Sequence, residues 1–480
     1  MADVIIIGGG VGGLCAAIRL RVAGHTVQLF ERNSVLGGKL AVREREGFTF
    51  DIGPSLLTLP EQFDDVLQLA GTTLAEQVEL VRLDPQFRYH WDDGSTLDLP
   101  NDAAAATEAV EAFSPGSGRA WQEFQKHAGR IWDVSERTFF AGPMSSPLAL
   151  LRRMQSPRDL AAIDSLRTLA KAAASSFADP RLQQWACRYA TYSGSSPFQA
   201  PATLGCIPAI EQRYGAWYVV GGLGRLRDAL VKANETIGVA LHPSTEVASV
   251  TASADRVTGV RTTDGCTHRA DIVVANVDAE HLYQDLLPRP ATLRRLAKAT
   301  PSGSGYVVLA GVRNATPNQR HHTIWFSPSY SHEYAELDAG RPAAIPTIYA
   351  CVSSVTDETQ APVDCENWFL LANAPADAGT MDGYGNVMID RLAACGTDLR
   401  NRLVFTETLS PSDISTRYRA AHGSIYGTSS NGRRAAFARP ANRGAVPGLY
   451  LVGGTSHPGG GLPLVAMSAR IVAEMIRLDQ

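Results

Sequence analysis

The chain has 480 residues, with 44 Lys+Arg against 48 Asp+Glu and a formal net charge of −4. At about 150 residues per domain this length predicts two to four domains and a substantial buried core. The mildly acidic balance argues against a nucleic-acid partner, which would need a basic stripe for phosphates. An apolar fraction of 45% without a fixed Gly or Pro period excludes disorder and collagen.

Seven cysteines, scattered from Cys15 to Cys395 without a Cys-x-x-Cys pair, make a poor disulfide framework and a poor zinc site. The expectation is a reducing cytoplasm and no metal centre. Asp3 stands where a signal peptide would be basic. The apolar run 4–18 is too short and glycine-rich to span a bilayer. A cytoplasmic protein is expected, at most peripheral on the inner face of the cell membrane.

Residues 3–7 (DVIII) read as a buried strand, a β-branched run without polar alternation. Gly8, Gly10 and Gly13 follow in G-x-G-x-x-G spacing, then an apolar helix pattern closing near Gly24, a strand over 26–30, and Glu31. Gly8 permits a tight turn, Gly10 lets backbone approach a pyrophosphate, and Gly13 lets helix pack on strand. The helix N-terminus offers free N–H groups and a positive dipole end. Glu31 is placed to accept from ribose hydroxyls and would repel a 2′-phosphate. Strand, loop, helix, strand and acid in this order predict a site for FAD or NAD. Arg32, the glycine pair 37–38, Lys39, and then Gly53, Pro54 and Ser55 favour FAD, whose length calls for further loops.

Residues 81–100 predict a β-hairpin turning at Asp93-Gly94, and 103–190 predict helices. A glycine-led helix is expected over 221–230, with strands near 238–241, 246–252, 256–262 and 272–275. Strand-rich segments recur at 304–313, 346–353 and 368–373. A last strand over 449–452 leads through Gly454 and His457 into a helix over 463–478, with Pro463 in its first turn. Such a helix end suits the N1–C2=O edge of a flavin, where negative charge gathers on reduction. The fold class read from this order is α/β with interleaved domains.

Together, VIIIGGGVGGL, ERNSVLGGK, GFTFDIGPSLLT, YSGSSPFQAPAT, GAWYVVGGLGRLRDAL, DIVVANVD and PGLYLVGGTSHPGGGLPLVAMSARIVAE resemble the bacterial phytoene desaturase family. These are FAD-dependent carotenoid desaturases among the amine-oxidase-like flavoproteins. The resemblance implies a glutathione-reductase-like FAD domain (1–80, 221–295 and 440–480) interleaved with an α+β substrate and membrane-facing domain (81–220 and 296–439). It implies that Gly8, Gly10 and Gly13 meet the pyrophosphate and Glu31 the adenosine ribose. Arg32, Gly38, Lys39, Gly53, Pro54 and Ser55 would lie along FAD, and Val247 would meet adenine. Gly454, Leu462, Pro463 and Leu464 would surround the ribityl chain and flavin ring.

The implied reaction is desaturation of a hydrophobic polyene: FAD takes a hydride, a proton leaves the adjacent carbon, and a quinone or oxygen reoxidises the flavin. Isomerisation, saturation and terminal-carbon oxidation occur on the same scaffold, and the motifs do not separate them. An amine oxidase is disfavoured by His457-Pro458 in the terminal motif. No cysteine follows Cys395, so the FAD is expected to be non-covalent. His457 and Glu211 are the candidate bases; their structural alternatives are a loop-holding histidine and a buried ion pair. Trp217, Tyr218, Trp325, Phe326, Tyr349, Trp368 and Phe369 are candidates for a tunnel wall or for ordinary core. The stretch 147–171 sets Arg152, Arg153, Arg158, Arg167 and Lys171 against Asp159 and Asp164. It reads either as a membrane-surface element or as a solvated helix pair.

Overall fold

The computed structural model describes residues 1–144, 146–253, 256–432 and 435–480. Its first sheet is parallel, with strands in the order Leu449–Leu451, Ile272–Ala275, Asp3–Ile7, Thr26–Phe30 and Ala240–His242. Alternate side chains of Asp3–Ile7 enter two cores, as the two-residue period of a strand requires. Val4 and Ile6 pack under the helices Val11–Val22, Gly224–Thr236 and Leu462–Asp479 through Leu14, Leu230 and Val472. Ile5 and Ile7 face the opposite way, toward Val250 and Val260 of the sheet Val247–Ala252, Val257–Thr262 and Thr267–Arg269. Burial on both faces explains the unbroken apolar runs in Asp3–Ile7 and Ile272–Ala275.

The second large sheet has seven strands: Leu403–Leu409, Ser304–Arg313, Cys365–Ala374, Ile348–Val352, His322–Trp325, Phe87–His90 and Thr96–Leu99. All pairs are antiparallel except His322–Trp325 with Phe87–His90. Tyr306, Val308 and Ala310 pack beneath the helix Tyr384–Ala394, whereas Val307, Leu309 and Phe369 meet Phe48, Phe50 and Phe405. Helices between 103 and 214 close over Phe87, Tyr89 and Leu97 through Trp121, Phe124 and Trp185. Parallel-sheet strands thus come from 3–30, 240–275 and 449–451, and large-sheet strands from 87–99 and 304–409.

The hairpin, the glycine-led helix and the terminal helix lie where the sequence predicts them. Two large-sheet strands escape local reading, His322–Trp325 and Leu403–Leu409, because their partners are distant in the chain. The stretch 147–171 is not one helix pair. It contains Pro147–Arg153, Pro157–Ala162 and the start of Leu169–Ser176, two of them opened by proline.

Candidate functional site

A cavity of about 1340 Å³ runs between the two sheets and the helical layer. It exceeds the roughly 300–1,000 Å³ of an ordinary small-molecule pocket, so it has room for more than one ligand. Gly8, Gly10 and Glu31 line one end. Gly10 is the N-cap of Val11–Val22; among the described residues no side chain caps this end, and its first turn holds no acid. Its free N–H groups and dipole therefore remain available. Glu31 is buried and tightly held, accepting from the Gly9 N–H at 2.8 Å and from Asn33 N and Nδ2 at 2.9 and 2.8 Å.

Gly13 does not line the cavity. A Cβ there would lie 2.2 Å from the Gly8 carbonyl oxygen, so its place is the contact of helix on strand rather than the cavity wall. Asn276, which lies in the DIVVANVD motif but has no role assigned by it, ties the loop together: Nδ2 donates to the Gly8 carbonyl at 3.1 Å. A Cβ on Gly12 or Gly453 would meet its Oδ1 at 2.7 or 2.5 Å. The N-terminal and C-terminal loops thus converge on one amide.

Arg32, Gly38, Lys39, Gly53, Pro54, Ser55 and Val247 continue the same wall. Arg32 donates to the carbonyls of Thr416 and Arg417. Lys39 Nζ donates to the Ile425 carbonyl at 2.6 Å, and burial lowers its ammonium to about 8, against a smaller opposing effect of Asp278. A Cβ on Gly53 would fall 1.8 Å from the Lys39 carbonyl oxygen, so two backbones touch there. Gly454, Leu462, Pro463 and Leu464 line the cavity at the start of Leu462–Asp479, whose N-terminus also lacks a side-chain cap and first-turn acid among the described residues. Arg439 holds this loop through the carbonyls of Tyr426, Thr428 and Gly454. Asn442 bonds the carbonyls of Leu451 and His457. Neither residue has a local sequence signal, because each acts on segments distant in the fold.

His457 is displaced from the expected position. It is 1% exposed and off the cavity wall, which is formed instead by its neighbour Pro458. Its ring packs edge-on against Phe139 with centroids 4.7 Å apart, and Nε2 donates to the Gly142 carbonyl at 3.1 Å. Burial pushes the imidazole down to about 4. A neutral, carbonyl-bound ring on the far side of a proline is placed to hold the loop, not to take a proton from a ligand in the cavity.

Glu211 does line the cavity but forms no direct ion pair among the described residues. Its carboxylate accepts from Tyr189 Oη at 2.8 Å and from Tyr192 Oη. Burial raises its carboxyl above the usual range, while Arg188 and the two hydroxyls pull it back. Nearby, Ser55 and Tyr349 hydroxyls are 2.7 Å apart, and Tyr349 Oη is 2.9 Å from His322 Nδ1. Behind them His321, His322 and Cys351 offer potential ligand atoms within 4.8 Å of one another. Burial lowers both imidazoles and raises the thiol, leaving all three uncharged.

Among the proposed tunnel aromatics, Tyr349 and Phe369 line the cavity; Trp217, Trp325, Phe326 and Trp368 pack in the cores, and Tyr218 is buried against His321 with its hydroxyl donating to Asp357. Trp132, Phe139, Phe140, Tyr330 and Tyr426 supply further aromatic wall. Leu151 and Leu160 both line the cavity and are 49% and 50% exposed, so they stand at its mouth, with Leu148 and Leu166 exposed on the same stretch. There Arg153 is engaged with the carbonyls of Thr138, Gly142 and Pro143, and Arg167 with Asp164. Arg152, Arg158 and Lys171 are exposed. Among the described residues no helix is long and apolar enough to cross a membrane.

Residues 11–477 match the family of flavin containing amine oxidoreductases. The chain is 33% identical over 489 residues to 4,4'-diapolycopene oxygenase of Methylomonas sp, covering 99% of this chain and 98% of that one. It is 32% identical over 484 residues to 4,4'-diaponeurosporene oxygenase of Staphylococcus aureus (strain USA300), covering 98% and 97%. Solved structures share the fold at low identity. An oxidoreductase from Methanosarcina mazei has a TM-score of 0.66 at 16% identity, covering 98% of this chain and 100% of that one. Putrescine oxidase bound to putrescine has a TM-score of 0.65 at 15%, covering 99% of each. The chain belongs to the flavin-containing amine oxidoreductases and is an FAD-dependent oxidoreductase.

Proposed function

We propose that the enzyme oxidises a carotenoid-type polyene at a terminal carbon, with FAD at the glycine-rich end of the cavity and the polyene between that end and the leucine-lined mouth. The observation that carries this reading is the continuity of one cavity, from two uncapped helix N-termini to an apolar, exposed rim. The two relatives named 4,4'-diapolycopene oxygenase and 4,4'-diaponeurosporene oxygenase support the substrate class and favour oxygenation over the desaturation expected from motifs alone.

The residues fit FAD on their own geometry. At the uncapped start of Val11–Val22, Gly10 and Gly38 both line the cavity and their backbones approach so closely that a Cβ on Gly38 would come within 3.1 Å of the Gly10 Cα, leaving bare backbone facing the cavity. Its N–H groups would hold the pyrophosphate, with Glu31 on the ribose and Lys39 adding positive charge. The start of Leu462–Asp479 would face the flavin edge, where its dipole opposes accumulating negative charge. Bound FAD would supply a two-electron acceptor, reoxidised by a quinone or dioxygen: the terminal C–H gives up a hydride and one water supplies the oxygen and releases a proton, so that C–H becomes C–OH. The apolar wall excludes bulk water and aligns the chain. Both oxygens of Glu211 serve tyrosine hydroxyls, so its role here is to hold the wall rather than move a proton.

The chain divides, on this reading, into an FAD domain of 1–80, 221–295 and 440–480 and a substrate domain of 81–220 and 296–439. The mouth, with Leu151, Leu160, Arg152 and Arg158, would rest on a membrane from which the polyene enters.

The test supplies open-chain polyenes in liposomes to the FAD-loaded enzyme and follows product mass and absorbance. A product that gains oxygen at a terminal carbon supports the proposal. Loss of hydrogen without oxygen restores desaturation, an unchanged mass with a small spectral shift indicates isomerisation, and peroxide release from simple amines points to amine oxidation.

A further inference from the structure

The cavity suited to an apolar chain carries a deeply buried guanidinium in its wall. Arg188 lies at the start of the short 3-10 turn Arg188–Ser193 and is 6% exposed. Its guanidinium sits over four rings, 4.5 Å from the centroid of Phe87, 5.0 Å from Tyr189, 5.4 Å from Tyr192 and 5.5 Å from Tyr89. Ring faces attract a cation and hold the guanidinium in place, but they accept few of its five N–H donors. Among the described residues it makes one conventional hydrogen bond, from Nη2 to Tyr192 Oη at 3.1 Å, while Nη1 has no partner.

Among the described residues no carboxylate lies within ion-pair distance, since Glu211 is separated from Arg188 by the Tyr192 hydroxyl that donates to it. A buried charge normally has a direct counter-charge or a full set of acceptors. Here the fold builds a rigid cage around a cation and leaves it short of oxygen. A hydrocarbon cannot supply that oxygen.

We propose that Arg188, positioned by Tyr192 and Glu211, binds a carbonyl oxygen at one end of an otherwise apolar polyene, as an aldehyde or a carboxylate. Arg188 is then a specificity residue that favours polyenes already oxidised at an end over the parent hydrocarbon. The inference rests on the reading that a polyene occupies this cavity. Both carbonyl classes present an sp² oxygen to an N–H fork; the carboxylate adds a full charge and a second acceptor, so it should bind more tightly.

The experiment measures dissociation constants of the FAD-loaded enzyme for three polyenes of equal length, ending in hydrocarbon, aldehyde or carboxylate, from ligand absorbance and flavin fluorescence. Wild type should prefer the carbonyl-ended ligands. Arg188→Met should reduce the affinity ratio of aldehyde to hydrocarbon by about tenfold, and the carboxylate ratio by more, because a charge-assisted hydrogen bond is lost. Arg188→Lys should recover the carboxylate preference in part. Tyr192→Phe, which keeps the ring and removes the hydroxyl holding Nη2, should lower the ratios less and serves if Arg188→Met releases FAD. Unchanged ratios in both variants, or a wild type without carbonyl preference, would overturn the assignment. Failure of all three polyenes to bind wild type would instead refute the reading of the cavity as a polyene site.

Discussion

Two helices of this protein start from glycine-rich turns and meet different fates. Val11–Val22 begins at Gly10 with no described side chain on its N-terminal N–H groups, and its loop lines the cavity. Gly224–Thr236 follows Gly221 and Gly222, which have φ of 83° and 86°, yet neither glycine lines the cavity. The Asp51 carboxylate occupies that helix end, accepting from Leu223 N at 2.7 Å and Gly224 N at 3.3 Å. Asp357 takes the Gly221 N–H at 2.8 Å. Glycines make both turns; a resident carboxylate decides whether the helix end is free for a ligand anion. The same distinction between groups satisfied by the chain and groups left open separates Glu211 from Arg188.

The largest expected effect comes from closing the first turn. Gly13→Ala puts a Cβ 2.2 Å from the backbone oxygen of Gly8, which cannot swing away. Gly224→Ala meets the side-chain Cγ2 of Val42 at 2.6 Å, and a side chain can yield. Calorimetry should show a loss of about 3 kcal/mol or more for Gly13→Ala, with FAD lost from the purified protein, against about 1 kcal/mol for Gly224→Ala. Equal losses would mean that the first turn relaxes as easily as the second.

A second substitution turns the first helix into a copy of the second. Gly10 has φ −70° and ψ 174°, which any residue adopts, and a Cβ there would meet Asn276 Nδ2 at 3.0 Å and the Gly38 Cα at 3.9 Å. Gly10→Asp should cap the helix and leave the thermal midpoint of the FAD-free chain the same or slightly higher. A resident carboxylate would then face the pyrophosphate, and FAD affinity should fall about a hundredfold, roughly 3 kcal/mol. Retained FAD in Gly10→Asp would place the phosphates elsewhere.

Asp51 allows the reverse test by pH. Burial pushes its carboxyl up to about 6 from 3.8, against the opposing pull of the Leu223 and Gly224 N–H groups. Between those values the folded chain retains a proton that the unfolded chain has released. The stabilising contribution is therefore complete below the unfolded value and is lost as pH rises through about 6. Asp51→Asn lacks this titration. The stability of wild type relative to Asp51→Asn should fall by about 2–3 kcal/mol across that window, as read from denaturant midpoints. Parallel pH curves for the two proteins would remove Asp51 from the account.

What could be read from the sequence follows from how local each signal is. The strands Asp3–Ile7 and Thr26–Phe30 and the helix Leu462–Asp479 are written in short apolar patterns with glycine or proline at their ends. Glu31 reaches the cavity because the strand register before it fixes its position. The roles of Arg439 and Arg188 depend on groups brought from elsewhere in the chain, so no local pattern marks them; Asn276 lies in the motif DIVVANVD, but its bond to the Gly8 carbonyl joins segments far apart in sequence and cannot be read from that motif. His457 fails by a single residue: in a loop the side-chain direction has no period, and Pro458 takes the wall while the imidazole turns toward Gly142.

The smallest expected effect carries the same distinction to the surface around the mouth. Arg153 is satisfied by three backbone carbonyls, whereas Arg152 and Arg158 are exposed in the helices that carry the outward-facing Leu148, Leu151 and Leu160, and Lys171 is exposed in the helix that follows. A cation bonded to its own chain contributes to folding; an exposed one can meet an anionic headgroup, at about 1 kcal/mol per residue near the surface. Charge reversal of Arg152, Arg158 and Lys171 to Glu should therefore abolish co-sedimentation with anionic vesicles, with FAD content and thermal midpoint retained. Arg153→Met should lower the midpoint and leave vesicle binding close to wild type. If the triple variant still co-sediments, the leucine rim alone accounts for docking, because apolar burial does not depend on headgroup charge. If neither wild type nor variant binds vesicles, the mouth does not rest on a membrane and the polyene must be delivered by another route.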